Sequence, residues 1–212
     1  MTEKMVIGGI SPQKKRKNRF NLYDEAGEFV FSLSDETLLR FHLKVGMELS
    51  PERLEEIRGE DNYQYAKELA AAYLSYGPRT RSQLTRYLQD HQLDAAAVAR
   101  AVALMEDYGY IDDASYAREF ARQQGAKYGG RAIAYKLTQR GIDPSLAKKA
   151  MEEIPEEERR AAICRVIEQL KRKYAGLDEA KKRQRIYAAM LRKGFAYDDF
   201  ASLLGEDWDG EG

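Results

Sequence analysis

Apolar residues recur along this chain with two different periods, and the change from one to the other divides it. Between Met5 and Ser34 the period is two. Arg19-Phe-Asn-Leu-Tyr23 and Phe29-Val-Phe-Ser-Leu33 alternate apolar with polar, and Asp24-Glu-Ala-Gly27 between them has turn chemistry. With the short apolar run Val6-Ile7-Gly8-Gly9-Ile10, this predicts a hairpin and a third strand. Ser34 then N-caps a short helix, with Thr37 where a capping box would carry Glu or Gln, and Ser50-Pro51-Glu52 opens another with proline at the first helical position. A sheet this small has little core of its own, so it either leans on the helices C-terminal to it or moves against them.

From about Asn62 the period is helical. Ala66, Leu69, Ala70, Tyr73 and Leu74 lie on one face until Gly77-Pro78 breaks the pattern, and Thr80-Arg-Ser-Gln83 is a capping box for the next helix. Asp94 caps a third helix carrying Val98, Ala101, Val102 and Met105, which stops near Tyr108-Gly109. A second unit starts at Asp112 or Asp113, breaks between Gly125 and Gly130, stops at Gly141 and resumes at the N-cap pair Asp143-Pro144. A third begins at Pro155, turns at Ala175-Gly176, stops at Gly194 and ends with Phe200, Leu203 and Leu204.

One phrase recurs in all three units. Leu88-Gln-Asp-His-Gln-Leu93, Leu137-Thr-Gln-Arg-Gly-Ile142 and Met190-Leu-Arg-Lys-Gly-Phe195 start 49 and 53 residues apart, within the range of helical repeats. Each reads as a Schellman-type helix end, in which Gln92, Gly141 and Gly194 take the left-handed position and Leu93, Ile142 and Phe195 pack back on the helix. The predicted fold is mainly α: three tandem three-helix repeats forming an elongated, curved array, preceded by a small antiparallel β-sheet and helix extension. The expected boundaries are 1–60 for the extension, 61–112, 113–154 and 155–205 for the repeats, and 206–212 for an acidic tail.

Composition adds distribution. The 212 residues have 35 basic and 35 acidic side chains, a formal net charge of zero that argues against a simple strong nucleic-acid binder. The cations are clustered, however. Lys14, Lys15, Arg16, Lys17 and Arg19 form one block; Lys171, Arg172, Lys173, Lys182, Arg183, Arg185, Arg192 and Lys193 populate another region. A mean hydropathy of −0.65 and the lack of an apolar run near the ~20 residues a spanning helix needs argue against a membrane segment. The N-terminus lacks the apolar core of a secretory signal, which with a lone Cys164 implies a cytoplasmic location.

Candidate chemistry is sparse. His42 and His91 are far apart and have no metal-ligand spacing, and no Ser/His/Asp arrangement or phosphate-loop pattern is present, so no catalytic, cofactor or metal residue is assigned. Asp112-Asp113 and Asp198-Asp199 sit at helix starts, where carboxylates cap. Among the 14 tyrosines, Tyr73, Tyr87, Tyr108 and Tyr116 are expected to pack between helices; for Tyr76 and Tyr128, near the breaks, packing and interface roles both stay open. The loop Gly125-Ala-Lys127-Tyr128-Gly-Gly-Arg131 combines glycines with cations. It suits either a tight turn or the presentation of amides and charge to an anion or an acidic surface.

Several of these phrases together resemble the RecX family of regulators of the RecA recombinase. They are Leu74-Ser-Tyr-Gly-Pro78-Arg79-Thr80-Arg81-Ser82-Gln83-Leu84, Gly109-Tyr110-Ile111-Asp112-Asp113, Lys127-Tyr-Gly-Gly130-Arg131, Arg140-Gly141-Ile142 and Leu191-Arg-Lys-Gly194-Phe195, in the family's order over Asn62 to Gly205. A repeat array of this kind is expected to act as a monomer, and the resemblance implies a non-enzymatic cytoplasmic protein that lies along the groove of the RecA–DNA filament. There it would inhibit ATP hydrolysis and strand exchange, regulating recombination, DNA repair and the SOS response. Some members also bind single- or double-stranded DNA. Arg79, Arg81, Lys127, Arg131 and Arg140 match the family's basic motif positions. Against this stands one alternative, an autonomous transcription-factor-like DNA-binding module with the N-terminal basic hairpin as a wing.

Overall fold

The computed structural model describes residues 4–14 and 18–204. Lys15, Arg16, Lys17 and the expected acidic tail lie outside the described residues. Two compact units emerge: Met1–Gly77 with Leu84–Tyr110, and Pro78–Gln83 with Ile111–Gly212.

In the first unit, β1 (Met5–Pro12), β2 (Arg19–Asp24) and β3 (Phe29–Ser34) form the expected antiparallel hairpin and neighbour. A fourth strand, β4 (Glu48–Leu49), adds to the other edge in the order β3-β2-β1-β4. At two residues it is too short to leave a periodic signal. Ser34 caps α1 (Asp35–Arg40), its hydroxyl accepting the Thr37 N–H.

The next helix departs from expectation. The helix opened at Ser50-Pro51 and the one read from Asn62 are a single α2 (Pro51–Ser75), so the expected boundary between 1–60 and 61–112 falls inside it. Buried positions along its whole length explain the continuity. Ile57 is buried in the core of the sheet with Ile7, Leu22 and Leu33, while Ala66 and Ala70, farther along and on the opposite side of the helix, are buried as well. The acidic run Glu52–Asp61 hid the first of these positions, and its own last member, Asp61, is buried. α3 (Arg81–Asp90) contributes Leu84 and Leu88 to the core, and α4 (Ala95–Asp107) contributes Val98, Ala101 and Val102.

In the second unit, α5 (Asp113–Gly125), α6 (Gly130–Thr138) and α7 (Pro144–Glu152) enclose Ala117, Ala121, Ile133, Leu137, Ile142 and Ala147. A second core, built on Ile163, Val166, Ile186, Met190, Phe195 and Phe200, joins α8 (Glu156–Lys173) to α9 (Glu179–Arg192) and α10 (Tyr197–Phe200). The third helix of this last repeat is a single turn continued by a 3-10 turn, Ala201–Leu203. The three expected left-handed helix ends are present, with φ of 59° at Gln92, 78° at Gly141 and 86° at Gly194. Their back-bonds are in place where Ile142 N–H meets Leu137 O at 3.1 Å and Phe195 N–H meets Met190 O at 3.2 Å.

Candidate functional site

The glycine loop between α5 and α6 is built against the helix end that closes α9. Gly129 N–H donates to Lys193 O at 2.9 Å, and Arg131 N–H donates to Gly194 O at 3.2 Å. The approach is so close that a Cβ on Gly129 would overlap the Gly194–Phe195 peptide, and one on Gly194 would overlap Ala132. The Lys-Tyr-Gly-Gly-Arg and Lys-Gly-Phe phrases are therefore two halves of one joint.

The same joint occurs once more within the second unit. Thr80 is the N-cap of α3: its Oγ1 accepts the Gln83 N–H at 3.1 Å, and its N–H donates to Gln83 Oε1 at 3.0 Å, completing the expected capping box. The Thr80 hydroxyl also donates to Arg140 O at 2.6 Å, and a Cβ on Gly141 would overlap Ser82. Thr80 thus stands to Arg140-Gly141 as Gly129 stands to Lys193-Gly194. Asp113 accepts the Arg81 N–H at 2.8 Å and ties the start of α5 to the same place.

These joints sort the basic candidates. Arg81, Lys127 and Arg131 are exposed, while Arg79, Tyr128, Arg140 and Lys193 are half-buried. The Tyr128 ring has the Lys136 ammonium 3.2 Å from its centroid and the Lys193 ammonium at 5.4 Å. Lys193 Nζ also donates to Lys127 O at 3.4 Å. Arg140 lies 4.5 Å over Phe120 and donates to Lys136 O at 2.8 Å. Beside the loop is a groove of about 380 Å³ lined by Tyr128, Gly129, Phe195, Arg159, Arg165 and Asp199, among others.

A second basic region lies at the end of α8 and along α9. Lys171 pairs with Glu168 at 2.9 Å, and Lys182 pairs with Glu179 at 3.2 Å. Arg172, Lys173, Arg183, Arg185 and Arg192 are exposed. The cations ending α8 also oppose the negative end of its dipole, so they are favourable to the helix itself.

At the N-terminus the candidates separate. Lys14 is exposed two residues beyond β1, whereas Arg19 is half-buried and engaged within the fold. Its Nη2 pairs with Asp61 at 2.8 Å and donates to Ser32 O at 2.8 Å, with the two side chains 17% and 6% exposed. Asp61 in turn accepts Ser34 N–H at 2.7 Å and the Thr37 hydroxyl at 3.0 Å, so this ion pair fastens the sheet to α2. The periodic pattern could not show it, because the partner lies 42 residues away.

One aspartate of each pair caps the helix it begins, as their positions suggested. Asp112 accepts the Ser115 hydroxyl at 2.6 Å and N–H at 2.9 Å, and these bonds, the hydroxyl foremost, hold its carboxyl below the ordinary value. Asp199 accepts the Ala196 N–H at 3.0 Å. Among the described residues no three His, Cys, Asp or Glu side chains gather as a metal site, and no helix is long and apolar enough to cross a membrane.

Tyr73 and Tyr87 stack with centroids 4.1 Å apart, and Tyr116 stacks on Phe120, as expected of packing residues. Tyr108 does not: it is exposed, because the helix ends one residue before it.

Comparison with known proteins matches this architecture. Four domain families cover the chain: the regulatory protein RecX N-terminal domain over 5–50, and the first, second and third RecX three-helix domains over 66–103, 112–151 and 156–204. A regulatory protein RecX of Lactobacillus delbrueckii subsp. bulgaricus is 35% identical over 193 residues, 90% of this chain and 70% of the relative. Regulatory protein RecX of Oceanobacillus iheyensis is 27% identical, over 89% of this chain and 72% of its own length. A crystal structure of regulatory protein RecX superposes with a TM-score of 0.71 at 26% identity, covering 95% of this chain and all of the other. RecX from Lactobacillus salivarius shares the fold at a TM-score of 0.64 and 24% identity, over 68% of this chain and 96% of that one.

Proposed function

Since the chain belongs to the RecX family of regulatory proteins, we propose that it is a negative modulator of the RecA recombinase. It acts as a cytoplasmic monomer, occupies the groove of the RecA–DNA filament, and slows ATP hydrolysis and strand exchange. The observation that best supports this reading is the repeated joint. It sets Arg79–Arg81 and Lys127–Arg131 at equivalent places in successive repeats, giving a recurring cationic feature suited to a partner that is itself periodic. The modulator works by binding alone, contributing no reacting group. Addition of the protein to RecA on single-stranded DNA is expected to lower the ATPase rate, strand exchange and filament lifetime; unchanged values of all three would end this reading.

The exposed Arg172, Lys173, Arg183, Arg185 and Arg192 favour an accompanying contact with DNA itself. The autonomous DNA-binding alternative differs in requiring tight, sequence-selective binding without RecA.

A further inference from the structure

The groove beside the Tyr128 loop combines an apolar lining with charge that the described fold leaves unopposed. Arg159, Ala162 and Arg165 follow one another at i, i+3 spacing on α8 and form one wall, and Arg122 of α5 adds a third guanidinium. All three arginines are exposed, and among the described residues none of them is paired with a carboxylate. Two carboxylates share the groove, but each is occupied: Asp199 accepts the Ala196 N–H at 3.0 Å, and Glu158 stands in the first turn of α8, where it opposes the helix dipole. Tyr128, Met151 and Ile154, each half-buried, supply the apolar lining. At about 380 Å³ the groove lies in the lower part of the size range of sites that take a drug-sized group.

The complementary chemistry is written in the chain itself. Past Leu204, the last described residue, the sequence continues Gly205-Glu206-Asp207-Trp208-Asp209-Gly210-Glu211, one large aromatic side chain set among four carboxylates and no cation. An indole suits an apolar groove, and flanking carboxylates suit a guanidinium wall.

The chain also leaves the fold close enough to reach. Leu203 and Leu204 pack on the core that α8 builds with Ile163, Val166 and Ile167, so the segment departs beside the helix that carries Arg159 and Arg165. Asp199, which lines the groove, precedes Leu204 by five residues of helical and 3-10 backbone, a rise of about 8–10 Å. Four extended residues, from Leu204 to Trp208, span up to about 14 Å. We propose that the segment Glu206–Glu211 occupies this groove, with Trp208 against Tyr128, Met151 and Ile154 and its carboxylates against Arg159 and Arg165. Its charge then lies beside the Lys127–Arg131 loop and lowers the positive potential which that loop presents to an outside anion.

Trp208 is the one tryptophan of the sequence, so its fluorescence reports the contact directly. Emission and acrylamide quenching are measured on the full-length protein at low ionic strength over a dilution series, with N-acetyltryptophanamide as the solvent-exposed reference and circular dichroism melting as the check on folding. Wild type is expected to emit at shorter wavelength than the reference and to be protected from quencher at every concentration. Arg159→Glu/Arg165→Glu is expected to shift emission to the reference and lose the protection; Arg160→Glu, the same change on the same helix outside the groove, keeps the wild-type signal. Asp207→Lys/Asp209→Lys, which alters no residue of the described fold, is expected to lose protection as the arginine variant does. Reference-like emission from wild type overturns the inference. Protection that survives both double substitutions overturns it in favour of a seat elsewhere, and protection that vanishes on dilution overturns it in favour of a neighbouring copy. RecA enters none of these measurements, so their failure leaves the proposed function untouched.

Discussion

Single residues at the joints are constrained by space. Gly194 has a positive φ, and its missing Cβ leaves room for the backbone of Ala132. Gly194→Ala is therefore expected to cost at least about 2 kcal/mol in urea unfolding, combining backbone strain with overlap. Gly176, where an added Cβ meets nothing, is the control and should tolerate alanine within about 0.5 kcal/mol. Asp61 is constrained by charge. Its loss strands the largely buried Arg19 guanidinium, and Asp61→Ala is expected to destabilise by about 3–5 kcal/mol, read from the unfolding transition. The positive φ at Gln92, Gly141 and Gly194 was legible in the sequence because a helix end repeats its own local chemistry. The Arg19–Asp61 pair was not, since nothing within a few residues of either reports the other.

At the scale of elements, the helix starts depend on acids and hydroxyls. Asp112 and Asp143 are each held below the ordinary carboxylate value by hydrogen bonds, the Ser115 and Ser145 hydroxyls first; Asp178 is held down first by the Lys181 N–H. Groups whose pKa is depressed on folding stabilise the folded state above their unfolded value, about 4, and lose that contribution as pH falls through the folded value. Helix content followed by circular dichroism is expected to fall over that acid range, and Asp143→Ser, which caps without titrating, should reduce the dependence. Thr80 is more demanding, since one hydroxyl both caps α3 and satisfies Arg140 O. Thr80→Val should cost about 2 kcal/mol in chemical denaturation, because it removes the cap and leaves that carbonyl unsatisfied. The capping box was readable from Thr80 and Gln83 alone, but the second bond of Thr80 was not.

For the whole molecule, neutrality in sum coexists with cationic regions, and salt dependence measures which of these meet phosphate. If the α8–α9 region contacts DNA, replacing Arg172, Lys173, Arg183 and Arg185 with serine should lower the magnitude of the log K against log[salt] slope by roughly 0.7–0.9 for each lost contact, as measured by anisotropy titrations at several salt concentrations. The repeated helix ends, their caps and the mainly helical class were settled by the sequence alone, because capping and amphipathic periods act over one or two turns of chain. Only the tertiary structure decided that α2 runs unbroken from the sheet into the first repeat, that Arg19 is committed to Asp61, and that Tyr108 faces water. It also decided that the glycine turns at Gly141 and Gly194 fit against a loop of the preceding repeat, at Ser82 and Gly129–Ala132. These depend on which surfaces meet across tens of residues, and a period along the chain records that a face is buried without recording what buries it.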